Sequence, residues 1–249
     1  MELIVLTFIV SFVASVISGF GGGGGGFIMT PYYIWIGLTP QQAVATGKLG
    51  GVGVAAGALT AFKGHGLVNK KHLAPLMAIN LLCALIAARW LPDIDPSALQ
   101  SAMGMALILL SPTLFINKKS FLPGGRSKLS IAIGYILCTV ITMAQTMMGA
   151  GVATLFLLSL MFFFGMDALQ ANATKRVAQS VQAILLAILL FFQGLVLIGH
   201  GLAAMAGSFI GCHIGSKFAI KKGADFVKLF LAITMAASGV LLLAFPAAH

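Results

Sequence analysis

The sequence predicts an all-α integral membrane protein made of two inverted repeats, each of about five segments. Three observations predict this fold class. Hydrophobic residues make up 59% of the 249-residue chain and charged residues only 8%, whereas soluble domains carry about 25% charged residues. The apolar runs have the length of membrane helices, with short segments after glycine-rich breaks. Two stretches 128 residues apart also read as copies of one element.

The apolar runs indicate where the chain crosses the membrane. A spanning helix needs about 20 apolar residues, or fewer where the bilayer thins. The first run follows only Glu2 and no basic residue, so we expect a retained helix rather than a cleaved signal peptide. Two runs, 26–37 and 152–165, are short, which gives 8–10 segments in total. Full segments are predicted at 3–18, 41–62, 73–92, 98–117, 130–147, 176–199, 201–217 and 226–246.

A ten-residue motif occurs twice in the chain. Residues 37–46 read GLTPQQAVAT and residues 165–174 read GMDALQANAT, so Gly, Gln, Ala, Ala and Thr recur at equal offsets. Residues 21–72 of the first copy align with residues 149–200 of the second without a gap. We therefore divide the chain into a first membrane repeat, 1–120, and a second, 121–249, which form one transport domain. Repeated, interrupted apolar segments are typical of secondary transporters.

The net charge of +10 sets the predicted topology. Basic residues concentrate in three loops, within 63–71, 118–128 and 217–228, and the positive-inside rule places these loops in the cytoplasm. The loop after residue 68 then lies inside and its repeat counterpart after residue 196 outside, so the halves are inverted. Ten crossings satisfy this arrangement; if the short segments are re-entrant, the count is eight and the inversion argument fails. We expect no nucleic-acid partner.

Six consecutive glycines at 21–26 predict a helix break at membrane depth. Glycine costs about 1 kcal/mol relative to Ala in a helix interior, and broken backbone in a membrane must be buried in protein or line a wet cavity. The following helix would present its N-terminus, a natural anion site, at the break. The alternative is that the glycines allow close helix packing. This alternative also applies to the second break, at residues 149–151, which is the weaker of the two. The candidate binding glycines are Gly21, Gly22, Gly23, Gly24, Gly149 and Gly151.

Two basic residues occupy equivalent positions about two turns into their segments, Lys48 and Arg176. No acid near Lys48 in sequence can pair with it, and an unpaired cation at this depth needs water, an anion or a neutral partner. We interpret the two as an anion-binding pair contributed by the two halves; snorkelling to an interface is the alternative. The hydrogen-bonding candidates around them are Gln42, Thr46, Gln170 and Thr174.

Asp167 is the one acid expected near membrane depth, which makes it a candidate for ion coupling. It matches Thr39 in the repeat, so a helix N-cap is the alternative role. His72 and His200 are expected in loops, and His213 is expected to be a buried neutral histidine.

Other functional classes find less support in the sequence. A cation or metal permease is disfavoured because acids are scarce and the His residues and Cys83, Cys138 and Cys212 are scattered. No phosphate-binding loop motif, metalloprotease motif or paired cysteine occurs, so we expect neither an enzyme nor a cofactor. A non-transporting membrane scaffold remains open.

The glycine tract, Pro31, and the motif from Gly37 to Thr46 resemble the sulfite exporter TauE/SafE family. The resemblance covers nearly the whole chain. It implies a multi-pass protein of the bacterial inner membrane that moves a small anionic substrate, such as sulfite or an organosulfonate. A homo-oligomer is left open. The chain departs from the family pattern where Gly47 and Lys175 follow the motif threonines, where Ser159 stands opposite Pro31, and at Val152 in the second break.

Overall fold

A computed structural model describes residues 2–21, 25–95, 128–148 and 153–244, and this part of the chain is helical without strands. The predicted segment 98–117 lies outside the described residues. A 3₁₀ turn at Leu91–Asp93 follows the fourth helix. The helices are α1 (Glu2–Gly21), α2 (Gly25–Trp35), α3 (Pro40–Phe62), α4 (Lys70–Trp90), α5 (Lys128–Met148), α6 (Ala153–Phe164), α7 (Ala168–Phe192) and α8 (Ile198–Ala244).

Five of these helices, α1, α3, α4, α5 and α7, are long and apolar enough to cross a membrane. The two short helices α2 and α6 have 11 and 12 residues. At about 1.5 Å per residue each covers roughly half of the ~30 Å hydrocarbon core. The all-α membrane fold is therefore confirmed, and α2 and α6 are short helices; residues 22–24 and 149–152, where the breaks are predicted, lie outside the described residues. The inversion of the halves stays a prediction.

One predicted boundary is wrong. The apolar run 176–199 suggested one segment, but α7 begins at Ala168 and ends at Phe192, and α8 begins at Ile198. The chain turns at Gly194, whose φ of 72° suits glycine. The turn is invisible to hydropathy because Val196, which follows it, is apolar and buried in the core. The predicted segment 201–217 and most of 226–246 lie within α8, and between them the backbone leaves the helical conformation at Gly223 (φ 82°, ψ −177°), so α8 is two helices that meet at a kink.

The helix boundaries repeat with the same offset as the sequence. The starts of α2 and α6, of α3 and α7, and of α4 and α8 are each 128 residues apart. The turns agree as well, because Gly37 and Gly165 both have positive φ (91° and 67°), as do Gly66 and Gly194 (64° and 72°). The two copies of the motif thus form the same local structure.

Equivalent residues of the two halves make reciprocal contacts. The Thr46 hydroxyl on α3 accepts a hydrogen bond from the Leu197 N–H before α8 (3.1 Å). The Thr174 hydroxyl on α7 accepts one from the Asn69 N–H before α4 (2.9 Å). Each threonine therefore holds the start of a helix in the opposite half. The two motif threonines therefore connect the halves through two equivalent hydrogen bonds, one from each half.

The histidines His72 and His200 form a second reciprocal pair. His72 Nδ1 lies 2.8 Å from the Tyr135 hydroxyl on α5, and His200 Nδ1 lies 2.8 Å from the Thr7 hydroxyl on α1. Tyr135 and Thr7 are themselves 128 residues apart. The expectation that both histidines lie in loops is wrong, since both belong to the first turns of α4 and α8. His72 is buried by packing against the other half. His213 was expected to be buried, but it is only half-buried, beside Thr60.

Close packing of α8 depends on glycines. Gly207, Gly211 and Gly215 face the backbone of α1, and a Cβ at any of them would clash with it. Gly53 and Gly57 on α3 face the backbone of α8 in the same way. Small residues allow membrane helices to approach closely and gain dispersion energy. The glycines of α3 and α8 therefore set the spacing of the helices that surround the centre of the protein.

The reciprocal threonine bonds give a first prediction. Thr46→Val and Thr174→Val should each lower the free energy of unfolding by about 1–3 kcal/mol, because each leaves a backbone N–H unpaired. The two losses should be similar in size and nearly additive, since the sites do not share a partner. Denaturation in detergent micelles measures both. Thr60→Val is the control, because it replaces a threonine of α3 that does not hold the start of another helix. The Thr60 hydroxyl bonds within α3 and to the half-buried His213. A loss for one threonine only would contradict the equivalence.

Candidate functional site

A cavity of about 170 Å³ lies where the two halves meet. This volume is many times the roughly 10–15 Å³ that a single water needs by the same kind of measure. Its wall includes residues of α1, α2, α3, α5, α6, α7 and α8. A small polyatomic ion therefore fits inside the protein at this point.

The cavity wall contains both of the predicted cations, Lys48 and Arg176. Lys48 Nζ donates to the Gln145 carbonyl near the end of α5 at 3.5 Å. Arg176 Nη2 donates to the Ser18 carbonyl and hydroxyl near the end of α1, at 2.7 Å each. Each cation thus meets the C-terminal, partly negative end of a helix from the other half. Arg176 is firmly held, whereas Lys48 has one long bond.

The short helices begin at the same cavity. Gly25 and Gly26, the first residues of α2, and Ala153, the first residue of α6, all belong to its wall. Helix N-termini carry unpaired N–H groups and partial positive charge. Gly25 is tightly placed, because a Cβ there would lie 3.2 Å from the Ala14 carbonyl oxygen. Both helix starts add to the positive character of the cavity.

No acid offsets this positive charge. All five acidic residues of the chain lie within the described ranges, and none belongs to the cavity wall. Asp93 pairs with Arg89 at 2.9 Å, and Asp167 caps α7. Within those ranges no cluster of His, Cys, Asp and Glu could hold a metal ion. The described cavity wall therefore carries two cationic side chains and no carboxylate.

Several polar groups in the wall bind one another. Gln179 Nε2 donates to Gln145 Oε1 at 2.9 Å, and Ser15 donates to Ser208 at 2.9 Å. The Gln182 amide donates to Thr146. None of these residues is among the hydrogen-bonding candidates named from the sequence. No sequence signal marks Ser15 or Ser208, since serine is common in packed membrane helices.

The profile of the family described as sulfite exporter TauE/SafE matches residues 7–242. The chain belongs to the sulfite exporter TauE/SafE family. It is similar to a probable membrane transporter protein, ORF9, of Sinorhizobium sp., at 29% identity over 98% of this chain and 94% of the relative. A probable membrane transporter protein of Haemophilus influenzae is 23% identical over 93% and 91% of the two chains. The probable membrane transporter protein YfcA of Escherichia coli K12 is 21% identical over 97% and 90%.

No solved structure is a significant match to the chain. The family and its relatives are membrane transporters, so this TauE/SafE protein is a multi-pass membrane transporter and not an enzyme. Its partners are the lipid bilayer and a small substrate. The five apolar helices agree with this conclusion.

Four other described residues of this TauE/SafE protein that were predicted to bind substrate are not part of the described cavity wall: Gln42, Gln170, Thr46 and Thr174. Gln42 completes a capping box with Thr39, accepting its N–H at 3.2 Å. Gln170 lies in the first turn of α7, where its N–H bonds to Asp167 (2.9 Å). Thr46 and Thr174 make the reciprocal bonds between the halves. Gly21 ends α1; Gly22, Gly23, Gly24, Gly149 and Gly151 lie outside the described residues.

Lys175, which the sequence marks only as a departure from the family pattern, is fully buried. Its Nζ donates to the Ala153 carbonyl at 2.6 Å. Ala153 is the first residue of α6, so Lys175 contacts the start of the short helix beside the cavity. The contact ties α7 to α6 within the second half of this family member.

The coupling candidate Asp167 is exposed and caps α7, accepting the N–H groups of Leu169 and Gln170 at 2.9 Å each. We expect Asp167→Asn to keep the cap and the transport rate, because asparagine caps as well as aspartate. Asp167→Ala should lower the free energy of unfolding by about 1 kcal/mol. Chemical denaturation and a flux assay measure the two effects. A stable Asp167→Asn protein that loses transport would instead assign the carboxylate to ion coupling.

Proposed function

We propose that this chain is a secondary transporter of small sulfur oxyanions, such as sulfite or organosulfonates, across the bacterial inner membrane. The observation that supports the proposal most is the central cavity, whose described wall includes Lys48, Arg176 and the first residues of two short helices but no carboxylate. The family description, sulfite exporter, supports the substrate class.

The electrostatics favour a bound anion for a physical reason. Removing a cation from water costs several kcal/mol unless an opposite charge or several hydrogen bonds compensate it, by rough estimate. Lys48 has only a weak carbonyl contact in the described part of the chain. An anion beside Lys48 and the starts of α2 and α6 would gain both charge pairing and backbone N–H donors. The same cavity would repel a metal cation.

The reciprocal contacts support alternating access as the mechanism. Inverted halves can exchange conformations, so that the state open to one side converts to the state open to the other. In this proposal the halves rock about the cavity while the bonds of Thr46 and Thr174 hold the helix starts in place. A short helix of each half covers the anion from one side. The proposal does not include ATP hydrolysis by this chain, since its sequence has no nucleotide-binding motif.

Flux in proteoliposomes tests the proposal. Purified full-length protein is reconstituted, and uptake of radiolabelled sulfite is followed along an imposed sulfite gradient. We expect saturable uptake that excess unlabelled sulfite and sulfoacetate inhibit and that excess potassium gluconate does not. Uptake equal to that of protein-free liposomes, with sulfite, thiosulfate and sulfoacetate each tried as substrate, would contradict the proposal.

A further inference from the structure

Tyr33 on α2 is fully buried, and it belongs to the wall of the cavity. Its hydroxyl has no hydrogen-bond partner among the residues that the structure describes. The neighbouring Tyr32 differs, because its hydroxyl lies 2.8 Å from the Thr7 hydroxyl and donates to the Leu3 carbonyl at 3.2 Å. Two adjacent tyrosines of one helix therefore have opposite roles: Tyr32 connects α2 to α1, and Tyr33 leaves its donor unused.

Unused buried polar atoms are rare in folded proteins and call for an explanation. Within the described ranges five such side-chain atoms occur. Two of the five, the Tyr33 hydroxyl and Arg176 Nε, belong to residues of the cavity wall. Arg176 is anchored through Nη2 to Ser18, so its Nε donor remains available while the guanidinium is held in place. Both atoms belong to residues of the same cavity wall, and we take this coincidence as an indication of a ligand.

Three groups of the cavity wall can donate further hydrogen bonds: the Tyr33 hydroxyl, Arg176 Nε and the weakly bound Lys48 Nζ. Two side-chain acceptors of the wall are already engaged, since Gln145 accepts from Gln179 and Ser208 accepts from Ser15. Arginine and lysine side chains can only donate, and a tyrosine hydroxyl can donate. A ligand that satisfies the set must supply several acceptors. A compact oxyanion does so, because each of its oxygens carries lone pairs, whereas a halide offers one centre.

We propose that the Tyr33 hydroxyl, Arg176 Nε and Lys48 Nζ bind separate oxygens of one small oxyanion, and that Tyr33 makes the cavity selective for oxyanions over halides. The inference rests on the proposed function, because it assigns the ligand class of the same cavity. Tyr33 also packs against α3 at the residue before Lys48, since a Cβ on Gly47 would lie 3.7 Å from Tyr33 Cε2. The Tyr33 ring forms part of the cavity wall, and its hydroxyl donates a hydrogen bond to one oxygen of the oxyanion.

The test compares Tyr33→Phe with Tyr32→Phe in full-length protein. Isothermal titration measures the affinity for sulfite, thiosulfate, sulfoacetate and bromide, and a thermal melt measures the stability without ligand. Tyr33→Phe should weaken oxyanion binding about tenfold to a hundredfold, the effect of one hydrogen bond to a charged group. It should not lower the Tm, because no protein partner is lost, and it should leave the weak bromide affinity unchanged. Tyr32→Phe should lower the Tm and keep the oxyanion affinity.

Each result decides the assignment. Oxyanion binding by Tyr33→Phe at wild-type strength would overturn it while leaving the proposed function intact. An equal loss of bromide and oxyanion affinity would also overturn it, since the hydroxyl would not distinguish oxygens. If the wild type binds none of the three oxyanions, the proposed function fails and this assignment fails with it.

Discussion

Replacing Lys48 by Ala is expected to lower the affinity for sulfite by about tenfold to 150-fold, because a hydrogen bond to a charged group contributes about 1.5–3 kcal/mol. Lys48 lies in the cavity wall, and its one described contact is the long bond to the Gln145 carbonyl. Little protein–protein energy is therefore lost with the side chain. Anion transport should fall to near background while the protein stays folded. Titration calorimetry and flux in proteoliposomes measure the two effects.

Two control variants separate charge in the cavity from charge in general. Lys63→Ala removes an exposed cation just after α3 and should leave affinity and flux unchanged. Lys48→Arg keeps the charge with a different shape and should retain part of the affinity. A folded Lys48→Ala protein with wild-type affinity would move Lys48 to a structural role at the end of α5.

Replacing Gly53 by Ala is expected to lower the free energy of unfolding by about 3 kcal/mol, the upper range for overpacking of a tightly packed interior. A Cβ at Gly53 would lie less than 3.0 Å from backbone atoms of Met205 on α8. Backbone cannot rotate away as a side chain can, so α8 would have to move away from α3. Denaturation in detergent micelles measures the loss, and reduced yield of folded protein should accompany it.

Gly51→Ala is the matched control, two residues away on the same helix. A Cβ there would lie 3.7 Å from Ala183 Cβ, an ordinary contact. Because alanine favours a helix by about 1 kcal/mol over glycine, Gly51→Ala should keep or raise stability. Equal free energies of unfolding for the two variants would contradict the close contact between Gly53 on α3 and Met205 on α8.

The fold was predictable from sequence where chemistry is local. Composition identified a membrane protein, and the register of the repeat anticipated the equivalent starts of α3 and α7 through Thr39 and Asp167, which both cap their helices. Hydropathy alone misplaced the end of α7, because Val196 is as apolar as the helices on either side, although the register of the repeat indicated a loop after residue 196. The position of His72 was missed for a related reason: its partner Tyr135 lies in the other half, and only packing brings the two together.

Some residues of the candidate site could likewise be identified from the sequence, and others could not. Lys48 and Arg176 could be identified because a cation within an apolar segment is costly and therefore informative. Thr46 and Thr174 were correctly recognised as equivalent, yet both hold helix starts across the halves rather than line the cavity. Tyr33 carries no sequence signal, because an aromatic residue in an apolar helix is ordinary, and only its missing partner in the folded protein distinguishes it.

Equilibrium binding of radiolabelled sulfite to purified wild-type protein, in parallel with Lys48→Ala, tests the central claim most directly. We predict saturable binding of one sulfite per chain, which sulfoacetate displaces and which Lys48→Ala reduces by at least about tenfold. Binding of equal strength to a folded Lys48→Ala protein would contradict the assignment of Lys48 to the anion site. The absence of saturable binding to the wild type, for sulfite and for sulfoacetate, would contradict the sulfur oxyanion itself.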